Sequence, residues 1–289
     1  MKESSITLCR SVAAVVLFSV GAGLASASTP GPKCTSGAGK GAIEVSVAGL
    51  TSDGRLVCFK RRHPGNAREI GYVSGLTGAD TRLVGIDYRV QDGLLYGVGN
   101  GGGVYRIDTD SAAAVLVNHL TETLTGTAFG VDFNPAADRL RIIGNDGQNL
   151  RHNVNVGGTT LADGALNYAP GVAATGLTGA AYTNNDIEGR TATTLFDIDT
   201  ALDQVALQSP PNAGSLAATG QTGVDASSDV GFDIYSRVVS GRVRSNLGFA
   251  VLSSGDASRF YSVNLLTGRM TFMGRFDTQV ADIAVPVAQ

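Results

Sequence analysis

Four aspartates occupy like places in short apolar strands, and their repetition makes them the first candidates for chemistry. They are Asp87 in Val84-Gly85-Ile86-Asp87-Tyr88, Asp132 in Phe129-Gly130-Val131-Asp132-Phe133, Asp233 in Val230-Gly231-Phe232-Asp233-Ile234 and Asp282 in Val280-Ala281-Asp282-Ile283. If these strands line a common axis, four acidic groups converge. An all-oxygen donor set suits a hard cation, Ca2+ or another divalent ion. Such an ion polarises a carbonyl and activates water, the chemistry of a metal-assisted hydrolase or lactonase. A plainer role also fits: each carboxylate accepts hydrogen bonds from backbone amides of a neighbouring sheet. Repetition at equivalent positions is what a structural joint produces, and buried charges need partners in either case. A fifth copy, Thr178-Gly179-Ala180-Ala181-Tyr182, carries Ala181 where the others carry Asp. The joint is therefore the favoured reading, and no cofactor is expected.

The second candidate is the polar stretch 138–153. Arg139 and Arg141 alternate with Leu140 and Ile142, so both guanidinium groups lie on one face of a strand. Asn145-Asp146-Gly147 signals a turn, and Gln148, Asn149 and Arg151 follow. Arginine presents a planar fork of donors that matches carboxylate or phosphate, so this set suits an anion or a sugar. The competing and favoured reading is a solvated hairpin whose arginines pair with Asp138 and Asp146.

Other strings carry less. Gly97-Val98-Gly99-Asn100-Gly101-Gly102 matches a dinucleotide fingerprint as letters, but strand-like residues stand on both sides and no helix follows. It reads as a hairpin turn. Asn184-Asn185-Asp186-Ile187-Glu188-Gly189 lacks the spacing of a calcium loop and reads as a polar surface loop. His63, His119 and His152 lie far apart in sequence, and neither a zinc-protease helix nor a nucleophile elbow occurs.

The elements that would position these residues follow from composition and period. The 289-residue chain has 39 glycines, 8 prolines and no tryptophan. Glycine in that excess, without excess proline, points to many tight turns and hence many short strands. The aspartate strand recurs every 45 to 52 residues. Between copies comes a strand ending in an Asp or Asn turn, as in Leu195-Phe196-Asp197-Ile198-Asp199, then a further short strand. Four strands per period is the content of one propeller blade. The last aspartate strand has nothing after it, while residues 42–76 hold three strands with no first one. Joined, the two ends complete a blade. The expected fold is an all-β propeller of about five four-stranded blades, its ring closed by the N- and C-terminal segments.

The N-terminus reads as an export signal over residues 1–27. Lys2 and Arg10 precede a largely apolar run to Leu24, and Ala25-Ser26-Ala27 is a small-residue cleavage site. A Gly-rich extension covers 28–41 and a single propeller domain 42–289, with no transmembrane segment expected in the mature chain. Cys34 and Cys58 are the cysteines left after cleavage, and an oxidising compartment would join them. The net charge of −3 and the absence of a basic stripe exclude a nucleic-acid partner.

Residues 83–155 are similar to an exported bacterial family catalogued as domain of unknown function 4394. The resemblance lies in Gly85-Ile86-Asp87-Tyr88-Arg89, Gly93-Leu94-Leu95-Tyr96-Gly97 and Phe129-Gly130-Val131-Asp132-Phe133-Asn134-Pro135. It continues in Asp138-Arg139-Leu140-Arg141 and Gly147-Gln148-Asn149-Leu150-Arg151, and more weakly to the C-terminus. It implies a propeller-like fold and an exported location, periplasmic or extracellular, and supplies no activity. The chain is thus expected to be a monomeric, exported, non-catalytic propeller. It would bind a ligand or an extracytoplasmic protein partner through loops on one face.

Overall fold

The computed structural model describes Met1, Cys34 and residues 45–287, apart from 189–190, 227–229, 241 and 255–256. The export signal and almost all of the Gly-rich extension lie outside the described residues.

The first blade begins with β1 (Ser46–Thr51), β2 (Arg55–Lys60) and β3 (His63–Tyr72). The second is β4 (Leu83–Tyr88), β5 (Leu95–Gly99), β6 (Gly103–Ile107) and β7 (Ala114–His119). The third is β8 (Phe129–Asn134), β9 (Arg139–Gly144), β10 (Asn149–His152) and β11 (Thr160–Ala162), followed by a small hairpin of β12 (Asn167–Ala169) and β13 (Val172–Ala173). The fourth is β14 (Leu177–Tyr182), β15 (Leu195–Asp199), β16 (Gln204–Gln208) and β17 (Leu216–Gln221). The fifth is β18 (Val230–Val239), β19 (Arg242–Ser254), β20 (Ala257–Val263) and β21 (Met270–Arg275). The closing strand β22 (Val280–Ala284) pairs with β1, so the first blade reads β22-β1-β2-β3. Both chain ends therefore build one blade, as expected, and the ring has five.

The innermost strands are β22, β4, β8, β14 and β18, each packed beside the next around the axis. Their period-2 pattern decides how blades stack. Ile86 faces back onto the first blade, in a core with Ala48, Leu50 and Leu56. Val131 and Phe133 face back onto the second, with Tyr96, Val98 and Val104. Phe232 and Ile234 face back onto the fourth, with Phe196 and Ile198. The alternate residues, Gly and Asp, face forward. A side chain at Gly231 would meet the backbone of Asp282 at 2.5 Å, and one at Gly130 the backbone nitrogen of Ala180 at 2.7 Å. Glycine stands there because two backbones touch. Five apolar clusters, one per blade junction, result.

Cys34 and Cys58 form the expected disulfide, which ties the chain before the first blade to β2. The Tyr88 hydroxyl donates to the Cys34 carbonyl at 2.8 Å. Closing a loop of 24 residues should stabilise the fold by about 3 kcal/mol. Cys58→Ser should accordingly lower unfolding free energy by about that amount in a urea titration, with no change in the far-UV spectrum.

Candidate functional site

The axial carboxylates are joints, and their amides can be accounted for completely. Asp87 accepts from the Phe133 N–H of the third blade at 2.7 Å and from its own following amide, Tyr88, at 2.7 Å. Asp132 accepts from the Tyr182 N–H of the fourth blade at 3.0 Å. Asp233 accepts from Val285, beyond β22, and from Ile234. In every blade the amide just after the aspartate position is thereby satisfied: Tyr88, Phe133, Tyr182, Ile234 and Val285. Three carboxylates serve five N–H groups, because an aspartate that follows a blade lacking one turns its second oxygen onto its own strand. Ala181 is therefore not a gap in the ring.

The register corrects one equivalence. The residue before Val285 is Ala284, so Ala284 holds the aspartate position of the first blade. Asp282 sits two residues earlier, where the other blades carry Gly85, Gly130, Gly179 and Gly231. Its carboxylate accepts from Ile86 at 2.7 Å and Ile283 at 2.9 Å, a joint displaced by two strand residues, roughly 7 Å along the axis. Carboxylate oxygens, one each from Asp87, Asp132 and Asp233, by contrast, lie within 4.8 Å of one another. Asp282 is not part of that cluster.

Asp87, Asp132 and Asp233 are buried and Asp282 is half-buried. Burial pushes the Asp87 and Asp132 carboxyls well above the ordinary range, and neighbouring carboxylates push them further, Asp233 acting on Asp87 and Asp87 on Asp132. Burial raises Asp282 well above that range too, and Asp233 to about 7. Such a cluster holds protons or a cation. A cavity of about 290 Å3, lined by Leu50, Thr51, Arg82, Thr127 and Phe129, reaches Asp282.

The polar stretch 138–153 divides between the two faces. Arg139, Arg141 and Arg151 meet at a cavity of about 80 Å3 where the third and fourth blades join, and Asn149 orients Arg141 at 2.7 Å. Asp146 and Gln148 stand at the far end of β9, bonded to Thr125 and to the Thr123 carbonyl. The arginines do not pair with Asp138 and Asp146. Asp138 pairs with Arg89, while Arg141 and Arg151 share Asp163 at 2.8 and 2.9 Å. Asp163, Asn212 and Tyr182 were not anticipated as partners; they come from a loop, a 3-10 turn and the fourth blade, with no spacing that ties them to Arg141. Nor was Asp197, whose two oxygens are buried without a hydrogen-bond partner among the described residues.

The remaining candidates are turn and strand residues. Residues 97–99 end β5 and residues 100–102 form its turn into β6, capped by Asp80 at the Gly103 amide. His152 is buried between Thr160 and Asn118 at 3.0 and 2.9 Å, and burial lowers its pKa to about 4. His63 and His119 are exposed strand residues on the first and second blades.

Another cleft, about 810 Å3, crosses the fifth blade on the face where inner strands end. Amides and hydroxyls of Asn184, Asn246, Asn264 and Ser262 line it with the apolar Leu247 and Leu266, and Arg61 and Arg269 border it. Asn184 and Asn246 lock its wall through reciprocal bonds of 3.1 and 2.9 Å. Among the described residues no carboxylate, histidine, cysteine or lysine lines it.

Blade count, closure and axial joints define a five-bladed β-propeller. Residues 55–284 match the family described as "Domain of unknown function (DUF4394)", and the chain belongs to that family. No curated protein was found to match it. Among solved structures it is similar to a protein from Lactobacillus plantarum (12% identity, 84% of this chain and 99% of that one, TM-score 0.41). It is also similar to TolB from Acinetobacter baumannii (9% identity, 84% and 67%, TM-score 0.44). An auxiliary nutrient binding protein from Bacteroides ovatus matches at 15% identity and TM-score 0.40, over 77% of this chain and 57% of that one. No helix among the described residues is long and apolar enough to cross a membrane.

Proposed function

We propose that this protein is an exported, non-catalytic propeller that binds a ligand or an extracytoplasmic protein through one face. The carrying observation is the cleft over the fifth blade. It offers amide donors and acceptors, two arginines and apolar surface, and among the described residues it holds no acid, base or activated nucleophile. Among the described residues lining it, Ser262 has no histidine or carboxylate to take its proton. The axial carboxylates meanwhile are engaged with backbone amides. The disulfide supports export, because such bonds persist in oxidising compartments. A mature N-terminus at Ser28 in secreted material, read by mass spectrometry, is the expected result.

Purified protein should turn over no chromogenic ester, lactone or phosphomonoester, with or without Ca2+ or Mn2+. Turnover that is lost in Asp132→Asn would overturn the reading. It would favour the second one, a metal-assisted hydrolase or lactonase, whose support is the approach of the three carboxylates within 4.8 Å. On the binding side, sugars and amino acids that raise the melting temperature should lose that effect in Asn246→Ala.

A further inference from the structure

We propose that the arginine-lined cavity between the third and fourth blades binds a small oxyanion, a phosphoryl or carboxylate group. This site is separate from the cleft over the fifth blade and does not depend on it.

Three guanidinium groups, those of Arg139, Arg141 and Arg151, line the cavity with Asn134, Tyr182 and Asn212. Arg141 is held rigidly. It is 2% exposed and donates to the Tyr182 hydroxyl at 3.3 Å, to Asn149 at 2.7 Å, to Asp163 at 2.8 Å and to Asn212 at 2.9 Å. Arg151 gives only its Nε to Asp163, at 2.9 Å. Arg139 gives one terminal nitrogen to the carbonyls of Ala137 and Asp138, at 3.2 and 2.7 Å. Among the described residues no protein acceptor meets the two terminal nitrogens of Arg151, or Nε and Nη2 of Arg139.

The charges around the cavity do not balance. Three cations face one shared carboxylate, Asp163. Asp138 is engaged by Arg89 on the side of the second blade. Asp197 lies behind Arg141, and burial pushes its carboxyl well above the ordinary range. The site thus carries an excess of positive charge, partly withdrawn from water, where an anion gains most. Size selects among anions. A water takes up about 30 Å3 of liquid, so about 80 Å3 admits two or three waters or one tetrahedral or planar oxyanion. The forked donors of Arg139 and Arg151 stand at the mouth and the fixed Arg141 at the base, an arrangement that recognises two or three oxygens of one group. A larger ligand would place only its acidic terminus here.

The test is calorimetric titration of inorganic phosphate and, separately, acetate, with ionic strength held constant by NaCl. The phosphate arm reads a phosphoryl group and the acetate arm a carboxylate. Saturable binding of either, weakened about tenfold or more by Arg151→Gln and by Arg139→Gln, is expected. Arg237→Gln on the fifth blade should leave the isotherm unchanged. Binding of neither anion, or an unaltered isotherm in the double variant Arg139→Gln/Arg151→Gln, would overturn the proposal. Should a variant fail to fold, phenylglyoxal labelling of the unmodified protein decides. The anion must shield Arg139 and Arg151 from modification; equal labelling with and without it rejects the site.

Discussion

Unfolding in urea at pH 7 should show Asp87→Ala and Asp233→Ala to be the costly axial substitutions and Asp132→Ala the mild one. Removing Asp87 orphans the buried amides of Tyr88 and Phe133; removing Asp233 orphans those of Ile234 and Val285. Removing Asp132 orphans only that of Tyr182. An unsatisfied buried amide costs about 1–3 kcal/mol, so the first two changes should cost about 2–6 kcal/mol and the third about half as much. Each substitution also removes one buried acid from the same cluster, a relief common to all three that leaves their order intact. A shared cation would produce a different pattern. Each aspartate would supply a ligand, and the three variants would fall together.

The second large effect is on pH dependence. Asp233 titrates in the folded chain at about 7, and burial holds Asp87, Asp132, Asp197 and Asp282 well above the carboxylate range. In the unfolded chain each returns to about 3.9. Between those values the native state binds more protons than the unfolded state, so stability falls as pH rises from about 4 to about 7. Each carboxyl kept protonated contributes about 1.4 kcal/mol per pH unit, on the order of 4 kcal/mol for Asp233 alone across that window. His152 acts in the opposite direction. Its folded pKa of about 4 lies below the unfolded value, so the unfolded state gains that proton and stability rises with pH up to about 6.5. One histidine offsets one carboxyl, and the net slope stays negative. Melting temperatures measured in chelator from pH 4.5 to 7.5 should therefore decline. A rise would mean that these carboxyls are ionised in the folded chain.

Much of this architecture is legible in the amino-acid sequence because an inner strand has few degrees of freedom. In Phe129-Gly130-Val131-Asp132-Phe133, alternation alone sends Val131 and Phe133 to one blade and Gly130 and Asp132 to the other. The four-strand period and the complementary chain ends fix the number of blades in the same way. What stays hidden is register and convergence. Ala281-Asp282-Ile283-Ala284 invites alignment of its acid with the other acids; only the bond from Val285 to Asp233 shows that Ala284 holds that place. Asp146 and Gln148 follow closely on Arg141, yet a strand of six residues spans roughly 20 Å and carries them to the opposite face. The partners of Arg141 lie 22 and 71 positions away, at Asp163 and Asn212, where no local pattern marks them. The cleft over the fifth blade draws on Asn184 and Asn246 from successive blades and on Arg61 of the first blade, which ring closure brings beside them.

The most direct test of the central claim, that the axial aspartates are proton-bearing blade joints in a binding protein, is the divalent-cation content of the purified mature protein after desalting. The account predicts only trace metal and a melting temperature that chelator leaves unchanged. About one Ca2+ or other divalent ion per chain, with a melt lowered by chelator, would contradict it and make the three carboxylates a metal centre.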